Sequence, residues 1–188
     1  MFVSLQTYFA RHVVKRLSRI LIAAHPYIAM LAAYILVFKG QDYDIPKLAL
    51  GSFSSMAISY NTVVFGFCVT AIALIIAIPN SNFLYFVARN REDAYRDLAF
   101  VFSWTGVVHW LAFVTDIYSF VVYGSECNML SDHTTPYKSA WLFFVVSLQI
   151  YAVLQFLVNL IATFEIADLY GMWLVAESRK RTKQSRKY

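Results

Sequence analysis

Residues 48–88 form a run of forty-one positions without an Asp, Glu, Lys or Arg. A helix in water needs a polar face and a strand rarely exceeds ten residues, so an uncharged run of this length belongs in lipid. As one straight helix it would measure roughly 60 Å at 1.5 Å per residue, about twice the hydrocarbon thickness of a bilayer. It must therefore break, and Pro79-Asn80-Ser81-Asn82 supplies the break. Proline cannot donate to the preceding turn, and Asn and Ser side chains compete for backbone hydrogen bonds. The pattern predicts a span over 57–78 followed by an interfacial piece.

That span carries an ordered strip. Ser52, Ser55, Ser59, Thr62, Gly66, Thr70, Ala73 and Ala77 recur at spacings of three or four, which on a helix aligns them on one face. Small residues at this period let membrane helices approach closely, and lipid alone gives no reason for them. Ser59, Thr62, Gly66 and Thr70 are thus predicted to form a packing or oligomer seam. It would lie against a neighbouring span of the same chain, along a water-filled path, or between subunits.

The rest of the chain repeats the pattern. Hydrophobic residues make up 60% and charged residues 14%, with a mean hydropathy of +0.56; soluble domains average about 45–50% and 25%. The charges sit in short blocks between long apolar runs, which describes a polytopic membrane protein. Residues 1–19 set Phe2, Val3, Leu5, Phe9, Val13, Val14 and Leu17 beside Arg11, Lys15, Arg16 and Arg19, as in a basic amphipathic helix on an anionic lipid surface. A signal peptide would have a shorter charged region and a small-residue cleavage site, so this end is expected to be retained. Residues 20–38 form the first span, in which His25-Pro26 marks a kink or the first helical turn, with His25 snorkelling or hydrogen-bonded near the interface.

The third span, 98–122, places Gly106, His109, Phe113 and Asp116 on one face. His109 falls near the membrane centre, where an ionisable side chain marks function by default, although a neutral imidazole bonded to a neighbouring helix satisfies the same sequence. Asp116 is expected near enough to the interface to reach water. In the fourth span, 139–164, Tyr151, Gln155, Asn159 and Thr163 recur every four positions. Carboxamides are costly against lipid tails, so this stripe should face protein or water. It is the expected partner of the second-span strip, and with His109 it makes a candidate polar path. Beyond it, 165–188 is a basic tail that continues the helix, and six of the last ten residues are Lys or Arg.

Charge counting sets the topology. The N-terminal segment, the connection between the second and third spans, and the tail hold thirteen Lys and Arg, against three in the other two loops. Both termini are therefore expected in the cytosol, as in a bacterial inner-membrane protein. Arg89, Arg91, Arg96, Arg179, Lys180 and Arg181 become candidate contacts to anionic lipid or a cytosolic partner. The net charge of +5 is thus a topology signal, and no direct nucleic-acid contact is expected.

The sequence lacks phosphate loops, nucleophile elbows, paired zinc histidines and CxxC. Cys68 and Cys127 fit no metal or redox spacing. No enzyme, cofactor or metal is expected. Four spans, short outer loops, cytosolic ends and this length resemble the membrane subunit of the Kiwa antiphage defence system. The resemblance covers the outline of the chain and no motif. It implies a homo-oligomeric inner-membrane scaffold that senses membrane disturbance and binds a cytosolic effector. The reading is an all-α, polytopic four-transmembrane-helix bundle, serving as a non-enzymatic scaffold or sensor that oligomerises, or alternatively as an oligomeric ion channel or pore-forming effector.

Overall fold

The computed structural model describes residues 22–39, 50–77, 83, 94–123 and 136–185. All described elements are helical. Helix α1 spans Ala24–Tyr34 and continues as five residues of π-helical winding, Ile35–Lys39; α2 spans Leu50–Ala77, α3 Ala94–Tyr123 and α4 Pro136–Ser185. Helices α2, α3 and α4 are each long and apolar enough to cross a membrane, which makes the chain an integral membrane protein. The run Ala24–Lys39 is shorter, roughly 24 Å by helical rise, so this part of the expected 20–38 span does not by itself reach across the hydrocarbon core. The amphipathic segment 1–19 lies outside the described residues.

Pro26 occupies the first turn of α1, where a missing N–H leaves no hydrogen bond broken, so it starts the helix rather than kinking it. Helix α2 begins seven residues before the expected span, and α3 and α4 likewise extend beyond 98–122 and 139–164.

In space the helices run in the order α1, α4, α3, α2, with α1 and α3 both packed on α4, and α2 packed on α3. Ala29, Ala33 and Val37 repeat every four residues and are buried, which gives α1 a face low enough to lie close on α4. Val37 packs with Leu142, and Phe53, Trp141, Phe143 and Val146 surround them. Deeper in the bundle Val108, Ala112 and Ala152 meet under Trp104, Leu148 and Tyr151. The outside is apolar: Met56, Val63, Trp110, Val121, Phe144 and Ile161 are exposed. The inside holds Ser54, Asn61, Thr105, His109, Asp116, Ser119, Gln149, Gln155 and Asn159. This inverts the arrangement of a water-soluble core and suits a solvent of acyl chains.

Candidate functional site

Three helices bring four polar side chains together in the apolar bundle. Helix α2 supplies Asn61, α3 supplies His109 and Asp116, and α4 supplies Gln149. Asn61, His109 and Asp116 are 0% exposed. The Asn61 Nδ2 donates to Asp116 Oδ2 at 2.9 Å and lies 3.3 Å from Gln149 Oε1. Gln149 Nε2 donates to the same carboxylate oxygen. The carboxylate fixes how the Asn61 amide is turned, because it must receive an N–H. That leaves Asn61 Oδ1 as the acceptor 2.7 Å from His109 Nδ1, so the imidazole carries a proton on Nδ1. The Tyr60 and Phe156 rings stand edge-on to His109, with centroids 5.5 and 6.4 Å away, and complete the walls.

Polar pairs continue on both sides of this centre. Toward the α3 C-terminus, Trp141 Nε1 donates to Ser119 Oγ at 3.1 Å, and Ser119 in turn donates to the Thr115 carbonyl. In the other direction Trp104 Nε1 donates to the Tyr151 hydroxyl at 2.8 Å, and the His25 ring stacks on Tyr151 with centroids 5.5 Å apart. Gln155 Nε2 reaches Thr105 Oγ1 at 3.4 Å, and Asn159 Nδ2 reaches the buried free thiol of Cys68 at 3.5 Å. From Thr105 to Ser119 the column follows α3 for roughly 21 Å, a large part of a hydrocarbon core of about 30 Å.

The predicted polar path is therefore assembled in part. His109, Gln155 and Asn159 are buried in the column, and Thr163 is half-buried with its hydroxyl on the Asn159 carbonyl. The side chains of the α4 stripe reach mainly α3, through Thr105 and Trp104, and touch α2 at Cys68. Of the stripe, Asn159 meets Cys68, while Asn61 is met by Gln149, outside the stripe; Cys68 and Asn61 both belong to the buried α2 face 54, 57, 61, 64 and 68. Ser59, Thr62, Gly66 and Thr70 lie roughly 100–200° around α2 from that face at 100° per residue, and all four are exposed. Their hydroxyls donate to carbonyls of their own helix, at Ser55, Ile58 and Gly66. A Cβ at Gly66 would meet nothing within 4 Å. The expectation that this strip packs within the chain is corrected, since the large-to-small fit between α2 and α3 is made by Cys68 against Gly106 instead.

Asp116 also departs from its expected place: it turns into the bundle and does not reach water. Asn61 and Gln149 belong to neither periodic stripe, although Asn61 is the one carboxamide within 57–78. An isolated amide at mid-span is the signal that would have found it. Arg89 and Arg91 lie outside the described residues, as does Cys127. Arg96 falls in the first turn of α3; Arg179, Lys180 and Arg181 fall near the end of α4, with Arg179 exposed. Among the described residues no group of three His, Cys, Asp or Glu could hold a metal ion.

Fold and site define an all-helical integral membrane protein with a hydrogen-bonded polar interior. No protein-family model, curated protein or solved structure matches the chain.

Proposed function

We propose that the chain is a four-span, non-enzymatic membrane scaffold or sensor that self-associates and presents the end of α4 to a soluble partner. The observation that carries this reading is the length of α4. Its 50 residues extend roughly 75 Å, more than twice the hydrocarbon thickness. The part beyond Phe164 carries Glu165, Asp168, Glu177 and Arg179, as a segment leaving lipid should, yet it keeps Tyr170, Met172, Leu174 and Val175 exposed. Phe83 covers one side of this stem by packing on Tyr170 and Trp173, with centroids 5.3 and 5.7 Å apart. The rest is an apolar surface next to a basic end, which fits a cytosolic protein with an apolar patch rimmed by acidic residues.

Self-association rests on the strip Ser59, Thr62, Gly66 and Thr70, which is small, exposed and flanked by Val63 and Val69 on the lipid side of α2. Burial of Gln155, Asn159 and His109 inside one subunit favours the scaffold over a pore lined by them between subunits. The inner-membrane location and cytosolic ends follow from the charge count. The Kiwa-like outline adds a soluble effector as the kind of partner.

Two experiments test the reading. Alkaline phosphatase fused after Met129 should be active and a C-terminal fusion silent; the reverse pattern overturns the orientation. A soluble partner should co-purify with the unaltered chain in nanodiscs, and Met172→Asp with Val175→Asp should abolish that binding while insertion is retained. Undiminished binding would remove the stem as the docking surface.

A further inference from the structure

We infer that Asp116 Oδ1 binds one monovalent cation, a proton or an alkali metal ion, inside the bundle between α2, α3 and α4. The two oxygens of this carboxyl group are treated differently by the fold. Oδ2 takes two N–H groups, from Asn61 and Gln149, and is saturated. Oδ1 is buried and has no hydrogen-bond partner among the described residues. An ionised carboxylate at this position lacks a compensating charge, since no Lys or Arg among the described residues pairs with it. The amide donors on Oδ2 supply dipoles only. A buried charge without a counter-charge is among the most costly arrangements a protein can hold, and in lipid it is compensated by a bound ion or a proton. Either species sits on the oxygen that the two amides leave open.

The surroundings select for positive charge. Among the described residues Gln149 Oε1 is held only by the longer contact to Asn61 Nδ2 at 3.3 Å and keeps a lone pair beside the carboxylate, and an anion would face these oxygens alone. His109 does not pair with the carboxylate, because its Nδ1 proton goes to Asn61 Oδ1. The other titratable groups packed around the centre are Tyr60 and Cys68 of α2 and Tyr151 of α4, with His25 of α1 stacked behind Tyr151. None of these brings a fixed positive charge to Oδ1. Ser119 lies one turn beyond Asp116 toward the nearer end of α3, where its hydroxyl accepts from the Trp141 indole. The site stands on this geometry and does not depend on self-association or on the stem.

The test uses the full chain in nanodiscs, with two arms that separate the sources. Infrared difference spectra between acid and alkaline buffer containing only N-methylglucamine should show the carbonyl band of a buried carboxylic acid. The band should vanish in Asp116→Asn and persist in Asp168→Asn, which alters an exposed carboxyl group. Alternatively, exchanging N-methylglucamine for sodium or potassium at constant ionic strength should raise Tm by roughly 5–10 °C at a hundredfold excess over Kd. That rise should be absent in Asp116→Asn. A band assigns the proton and a salt-specific rise assigns the alkali ion; either supports the site. Both readouts are taken first on the unaltered chain, so they stand even if the variant unfolds. A carboxylate that stays ionised across the pH range with no cation-specific Tm change would overturn it.

Discussion

Asn61 and Thr62 are adjacent in sequence and opposite in consequence, which makes them the sharpest test of how the bundle is held. Asn61 is 0% exposed and joins three helices through contacts of 2.9, 3.3 and 2.7 Å. Thr62 is exposed and spends its hydroxyl on the Ile58 carbonyl of its own helix, at 2.8 Å. Interhelical hydrogen bonds in membranes average about 0.6 kcal/mol and reach about 1.7, so three of them give roughly 2–5 kcal/mol. Asn61→Leu keeps the branching at Cγ with slightly bulkier ends and leaves the His109 Nδ1–H without its acceptor; we expect a loss of about 2–4 kcal/mol. Thr62→Leu removes no contact between helices and should stay within about 0.5 kcal/mol.

The assay is reversible unfolding in bicelles, by steric trapping, at protein concentrations where the chain is monomeric. A double-mutant cycle of Asn61→Leu with His109→Leu should return a coupling of about 0.6–1.7 kcal/mol. Equal losses for Asn61→Leu and Thr62→Leu, or a loss below about 0.5 kcal/mol for Asn61→Leu, would refute the argument that the polar column joins the helices.

Gly66→Leu should leave the monomer as stable or raise its stability by up to about 1 kcal/mol, because a Cβ there meets nothing within 4 Å, and should lower the oligomer mass measured in nanodiscs. At Gly106 a Cβ meets Cys68 Cβ at 3.8 Å, an ordinary contact. Gly106→Ala should therefore be neutral or stabilising by up to about 1 kcal/mol, and Gly106→Leu should cost about 1–3 kcal/mol in the same unfolding assay. Cys68 is 0% exposed and free, so a membrane-permeant maleimide should label it only after unfolding. Rapid labelling of the folded chain would show that α2 separates from α3 and α4.

The helices were legible because lipid imposes a length and forbids charge, and those two constraints can be read directly from residues 48–88, 98–122 and 139–164. The inward stripe of α4 was legible for the same reason: Gln155 and Asn159 cannot face acyl chains at acceptable cost. The face of α2 was not legible. Two strips compete there, one of hydroxyls and glycine at 55, 59, 62, 66 and 70, the other of Ser54, Ala57, Asn61, Val64 and Cys68, and both are small enough to pack. Serine and threonine can satisfy themselves on the preceding turn, as Ser59, Thr62 and Thr70 do, so their hydroxyls do not demand a neighbour. A carboxamide cannot, and Asn61 settles which strip faces inward. Position near the end of a span does not reveal which way the helix is turned, and Asp116 is turned inward.

The same reasoning explains why a chain with so apolar an exterior keeps a polar interior. In water the hydrophobic effect would drive these helices together whatever their register. In lipid, acyl chains match Leu and Phe as well as another helix does, and that drive is absent. What remains is close packing, which Ala29, Ala33 and Gly106 permit, and hydrogen bonds that have no alternative partner in the acyl region. Rotating α2 by one residue would place Thr62 in the centre and turn Asn61 toward lipid, leaving one Asp116 donor and the His109 acceptor missing together. The penalty of two or more unsatisfied buried groups, each about 1–3 kcal/mol, makes that register untenable. The polar column therefore selects a single packing, and it leaves the outer strip of α2 free to meet a second subunit.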